Sequence, residues 1–217
     1  MFIKIFGERN TGTNYVEQLV KKNLDCKVYK FDPNNNPSGW KHGVPKIDFF
    51  NPNNTLFIVI ERNLESWLNS MYHRPYHMIK PKTFEDFISQ PIKTKMSDKY
   101  ICDYIKKNEE GKSIFDIRYW KHSEFQKLTN YNAVFINLSY LQKNSGLFIN
   151  TIVKEFGIKR KGIFQDITHH SKSNSVKSRN GNYKKYKLDV EKHKNSINQD
   201  IENEIESLTI NVHKFNQ

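Results

Sequence analysis

Five consecutive apolar residues, Leu56–Ile60 (LFIVI), leave few folds open to this chain. Neighbouring side chains on a strand point to opposite faces, so such a run needs cover on both sides. That is the situation of a strand inside a parallel sheet sandwiched between helices. The flanking sequence keeps the same rhythm. Residues 2–6 (FIKIF) and 133–138 (AVFINL) read as two further buried strands. Helices are expected over 13–24, with Tyr15, Leu19 and Val20 inward, and over 64–72, ending before Pro75. Others are expected over 83–90 with Thr83 as cap, 115–128, 145–156 stopped at Gly157, and 189–207. Residues 158–186 show no regular pattern. The expectation is one α/β domain over 1–217.

No stretch approaches the roughly 20 apolar residues of a membrane span, and the N-terminus lacks the apolar core of a signal peptide. Cys26 and Cys102 are the two cysteines, too few for a disulfide framework. A cytoplasmic location is therefore expected. The net charge of +12 suits a protein that handles nucleic acid, a membrane surface or small anions. The excess is uneven: 159–187 holds nine Lys or Arg against one acid, Asp166. That stretch is either a solvated basic loop or an anion-binding segment.

Small anions gain support from GERNTGTNY, residues 7–15, which joins the first strand to the first helix. Ligands of parallel α/β sheets bind at the carboxyl ends of strands, where this loop sits. Backbone N–H groups there, with the helix start at Thr13, make an anion cradle. The spacing Gly7-x4-Gly12 is that of a phosphate-binding loop, yet Thr13 stands where a nucleoside triphosphate loop has its lysine. A second junction of the same kind follows LFIVI. Arg62 ends that strand and Ser70 lies eight residues on, about two helical turns away on nearly the same face. A guanidinium and a hydroxyl so placed can grip one phosphate.

Together these stretches resemble the PAPS-dependent sulfotransferase family, whose donor is 3′-phosphoadenosine 5′-phosphosulfate (PAPS). GERNTGTNYVEQL is similar to the family's 5′-phosphosulfate loop, with Thr11, Gly12, Thr13 and Asn14 in its core, and VIERNLESWLNSMY to its 3′-phosphate motif, with Arg62 and Ser70 as the gripping pair. The later stretch 136–158 keeps the frame of a third family segment, without its acidic signature. The resemblance implies a P-loop NTPase-like parallel sheet flanked by helices, of the sulfotransferase type. It implies PAPS as donor co-substrate, no metal, and sulfuryl transfer to a hydroxyl or amine.

Where the family has a basic residue, two before the second glycine, this chain has Asn10. Its neighbour Arg9 is expected to supply that charge. The base implied by the resemblance is His42 in SGWKHGVPK, with Lys41 beside it helping to stabilise the leaving oxygen, and Glu8 as the alternative base. Tyr15 packs either on the adenine or in the core. Lys177 and Arg179, with Gly181, are expected to cover the 3′-phosphate, IKRKG at 158–162 being the second choice. HRPYH, 73–77, either lines the acceptor pocket or forms a surface turn. His73 and His77 are spaced like metal ligands, but Pro75 between them breaks a helix, so no metal is expected. A small polar acceptor such as a carbohydrate is favoured over a large apolar one. The competing readings are a kinase-like phosphotransferase and a basic nucleic-acid-binding module, the latter leaving both anion motifs unexplained.

Overall fold

The computed structural model describes residues 1–29, 39–95, 99–167, 190 and 192–215. A five-stranded sheet carries the molecule. Its strands are β1 (Phe2–Phe6), β2 (Lys27–Val28), β3 (Thr55–Glu61), β4 (Ala133–Asn137) and β5 (Ile210–His213), in the order β2-β1-β3-β4-β5. The first four run parallel, and β5 pairs antiparallel with β4. LFIVI lies within β3 at the sheet centre, buried at every position.

Alternation sends β3's side chains both ways. Leu56, Ile58 and Ile60 pack with Ile3, Ile5, Val134 and Ile136 against α1 (Thr13–Asn23) and α7 (Ser145–Phe156). Phe57 and Val59 pack with Phe6 and Phe135 against Phe125 of α5 (Ile114–Gln126). Each of these fully buried side chains is worth about 1.5–3 kcal/mol, so the central strand alone anchors both layers. A third cluster joins α2 (Leu64–His73), α3 (Phe84–Ser89) and the start of α5 through Trp67, Leu68, Phe84, Phe87 and Phe115. Trp40 packs on Ile101 and Ile105 of α4 (Lys99–Asn108).

Several boundaries differ from the sequence-based expectation, each for a local reason. Strand β4 stops at Asn137 rather than 138, because the Asn137 side chain accepts from the Ser139 amide at 2.8 Å and starts α6 (Leu138–Lys143). Helix α5 ends at Gln126 and tightens into a 3-10 turn over Lys127–Asn130. The single helix expected over 189–207 is interrupted: a 3-10 turn spans Lys194–Ser196, and α8 (Gln199–Ser207) begins anew with Asn198 accepting from the Ile201 amide. The short antiparallel β5 follows α8 and had no counterpart in the sequence reading. Thr83 caps α3 in a reciprocal box with Asp86, and Gly157 closes α7 at φ 64°.

Candidate functional site

The loop between β1 and α1 is built around two glycines that tolerate no side chain. A Cβ on Gly7 would lie 2.5 Å from the Ile60 carbonyl oxygen and 2.6 Å from Thr11 Oγ1, and one on Gly12 would lie 2.7 Å from Leu138 Cδ1. Gly12 also holds φ at 96°, a left-handed value that costs glycine little. No side chain caps α1, so the positive end of its dipole faces the loop. Thr11 turns inward, its hydroxyl donating to the Glu8 carbonyl at 2.8 Å. The Trp67 indole N–H donates to the Arg9 carbonyl at 2.9 Å, pinning the loop to α2.

A cavity of 480 Å³ opens over this loop. Arg9, Asn10, Gly12, Thr13, Asn14 and Tyr15 line it from the first junction, Arg62 and Ser70 from the second, and Lys41 and His42 from the segment before β3. The structure thus gathers these sequence-selected residues into one place; Thr11 braces the loop from behind. Arg62 Nη1 donates to Ser70 Oγ at 2.8 Å and to the Asn10 carbonyl at 3.0 Å, tying the two junctions together. Among the described residues, Arg9, Lys41, Arg62 and Arg74 are the cations of the lining, and no Asp or Glu joins them.

Arg9 serves the wall more than the opening. Its Nη2 contacts Glu109 Oε2 at 2.7 Å, its side chain is 2% exposed, and the guanidinium lies 5.6 Å from the centre of the Trp40 ring. Lys121 Nζ takes the other oxygen of the same carboxylate at 2.6 Å. Burial would raise the Glu109 carboxyl, but Arg9 and Lys121 outweigh it and hold its pKa down at about 2. Lys41 instead binds the Asn14 side chain at the start of α1, which places its charge beside the loop. Burial lowers the Lys41 pKa.

His42 Nδ1 lies 2.8 Å from the Gly7 carbonyl oxygen. A carbonyl only accepts, so Nδ1 carries the hydrogen and Nε2 keeps its lone pair in the neutral ring. Burial, reinforced by Lys41, Arg9 and Lys121, pushes the His42 pKa down to about 3. The ring is therefore neutral at physiological pH rather than titrating near 6.5. Trp40 meets both His42 and His77 edge-on, with ring centres 5.2 and 5.8 Å apart.

Glu8 does not line the cavity. It is buried on Arg118 at 3.3 Å, while Arg118 holds Glu202 more closely, at 2.6 and 2.7 Å. With that weaker share, burial wins and pushes the Glu8 pKa up to about 7.

Part of HRPYH does line the cavity, through Arg74, Tyr76 and His77; His73 instead bonds back to the Asn69 carbonyl within α2. Among the described residues, no group of three or more His, Cys, Asp or Glu is placed to hold a metal, and no helix is long and apolar enough to cross a membrane. Lys177, Arg179 and Gly181 lie outside the described residues, as do His169 and His170. Of the second-choice segment 158–162, Arg160 pairs with Leu24 in an isolated bridge, and none of its residues lines the cavity.

Three lining residues escaped the sequence reading: Trp40, Leu138 and Gln142. Trp40 sat unremarked beside Lys41, and nothing local marked Leu138 or Gln142. No protein-family model matches this chain, and no curated protein matches it either.

Proposed function

We propose that this protein is a PAPS-dependent sulfotransferase with a P-loop-like core. One observation carries the reading: the glycine loop and the Arg62–Ser70 pair, far apart in sequence, meet in one cavity whose described lining is rich in cations and holds no carboxylate. Such a lining suits a ligand with two anionic ends and an aromatic body. Arg62 and Ser70 would hold the 3′-phosphate, while the loop amides and the start of α1 would cradle the 5′-phosphosulfate. Tyr15, 5% exposed, belongs to the core while also lining the cavity, so it offers the adenine a fixed wall.

When bound, PAPS supplies an electrophilic sulfur and a phosphate leaving group. His42, held by Gly7 with Nε2 unprotonated, would take the proton of the acceptor hydroxyl as its oxygen bonds to sulfur, the anionic donor beside it raising the basicity that burial lowers. Lys41, anchored on Asn14, and the loop amides would stabilise the oxygen released as the sulfur–oxygen bond to phosphate breaks. Arg9 contributes by fixing the loop, since its charge is shared with Glu109. Trp40, Tyr76 and His77 line the same cavity as His42 and form the proposed acceptor side. Polar edges among these rings suit a hydroxyl-bearing acceptor such as a carbohydrate.

A kinase-like phosphotransferase fits less well, because Thr13 follows Gly12 and, among the described residues, no carboxylate lines the cavity to hold magnesium. Titration calorimetry separates the readings. Tight binding of 3′-phosphoadenosine 5′-phosphate (PAP) without magnesium, with weak binding of Mg-ATP, is expected. The reverse order would replace the proposal with the kinase reading, and salt-sensitive oligonucleotide binding alone would replace it with the third.

A further inference from the structure

The two anion half-sites hang from different strands, the glycine loop from β1 and Arg62 from the end of β3. The ladder between these strands stops at the Phe6–Val59 pair, so backbone pairing does not set the spacing of the residues beyond it. A ligand with two anionic ends gains from both half-sites at once only where their separation matches its own. In front, Arg62 ties them through the Asn10 carbonyl. Behind them stands one side chain that takes no part in the lining, Arg118 of α5.

The Arg118 side chain is 2% exposed, and each of its three nitrogens has a partner. Nε and Nη2 hold the two oxygens of Glu202 on α8 at 2.6 and 2.7 Å. Nη2 also donates to the Arg62 carbonyl at 2.8 Å, and Nη1 reaches the Glu8 carboxylate at 3.3 Å. The guanidinium lies 4.8 Å from the centre of the Trp67 ring, whose indole N–H holds the Arg9 carbonyl. One planar group thus touches the start of the glycine loop, the backbone of Arg62 and the ring that braces the loop. A guanidinium carries its donors in a fixed fork, so seating two of them on Glu202 directs the others. An ammonium has no such plane.

We infer that Arg118 is a positioning residue that sets the distance between the two anion half-sites, and so favours a ligand carrying both anionic ends over ligands carrying one. The inference rests on the nucleotide reading above and adds to it a buried side chain outside both sequence motifs. It also explains why Glu8, set at the loop yet turned away from the cavity, meets a cation there.

Calorimetry at fixed salt with PAP, adenosine 3′-phosphate and adenosine 5′-phosphate tests it, and the readout is the ratio of PAP affinity to that of the tighter monophosphate. Joining two half-sites can supply about 10²–10⁴-fold in such a ratio. Arg118→Lys, which keeps the charge but not the fork, should lower the ratio by about 10-fold or more and leave each monophosphate nearly unchanged. Arg118→Met/Glu202→Leu removes a buried cation together with its counter-ion, an exchange that folds often tolerate. Glu8, whose pKa burial already pushes up to about 7, can then take a proton. The double variant should melt near the wild type and show the same fall in ratio, so the test stands even where Arg118→Lys does not fold. Leu128→Ala, a core truncation beyond the end of α5, should lower the melting temperature and leave the ratio intact, which separates positioning from stability. A wild-type ratio in a folded Arg118 variant, an equal fall in Leu128→Ala, or a wild-type protein that binds PAP no better than the monophosphates overturns the positioning role. A wild-type protein that ignores PAP overturns the nucleotide reading instead, and that result is seen before any variant is made.

Discussion

Replacing Glu109 with glutamine should destabilise the fold far more than removing either charge of an ordinary surface pair. Glu109 is 0% exposed and lies between Arg9 at 2.7 Å and Lys121 at 2.6 Å, whose side chains are 2% and 1% exposed. Lowering its carboxyl from 4.5 to about 2 corresponds to about 3 kcal/mol of preference for the ionised form in the fold. That contribution is complete above pH 4.5 and is lost as pH falls towards 2. Glu109→Gln forfeits it at every pH and strands two buried cations, which places the loss at about 3–5 kcal/mol. For a chain of this size that is roughly 6–20 °C in melting temperature. Lys121→Met leaves Arg9 and Glu109 paired one to one and should cost less, while Glu109→Gln/Lys121→Met should recover part of the loss. The pH dependence adds a second signature. Burial lowers the Lys121 pKa while Glu109 opposes that shift, so removing Glu109 lowers it further. Stability of Glu109→Gln should therefore rise more steeply with pH on the alkaline side than that of the wild type. Urea unfolding at several pH values reads both effects. A Glu109→Gln protein within about 1 kcal/mol of wild type, the scale of an exposed pair, and with a parallel pH profile, would refute the idea that this carboxylate carries the wall of the site.

Arg62→Ala should weaken PAP by roughly 10- to 150-fold, the worth of a charge-assisted contact, yet barely alter adenosine 5′-phosphosulfate; equal weakening of both would place Arg62 on another group. His42→Ala should leave PAP affinity nearly unchanged and lower turnover by roughly 10²–10⁴-fold. Burial pushes the His42 pKa down to about 3 in the ligand-free protein, so an NMR titration without ligand should show no His42 transition near 6.5, and one there would contradict the burial assigned to this ring. Gly12→Ala combines a strained φ of 96° with a contact 2.7 Å from Leu138, so it should cost about 1–3 kcal/mol and PAP affinity together. Leu138→Ala added to it should relieve the contact but not the backbone, which thermal melts of the single and double variants resolve.

Local rules made much of this protein legible in its sequence. LFIVI demanded a strand covered on both faces, and β3 is that strand, because the two-residue period of a strand is set by the backbone and needs no knowledge of partners. Gly7 and Gly12 marked a tight turn before a helix, since only glycine meets those contacts and that φ. Arg62 and Ser70 were readable as a pair because a strand end and a helical spacing fix their separation, and their hydrogen bond of 2.8 Å realises it. Tertiary structure decided what those rules do not reach. Position 9 offered a free arginine to the ligand in the sequence reading, but the folded chain sends it to Glu109, a hundred residues away. His42 was named in the sequence as the base, but burial, with Lys41, Arg9 and Lys121 around it, sets its pKa only in the fold. The antiparallel β5 adds to the sheet only because α8 returns the chain beside β4. Backbone sterics act between neighbours in sequence and are written there. A buried charge must find its counter-ion among whatever the packed chain brings within a few ångströms, so its partner, and the proton it keeps or loses, belong to the fold.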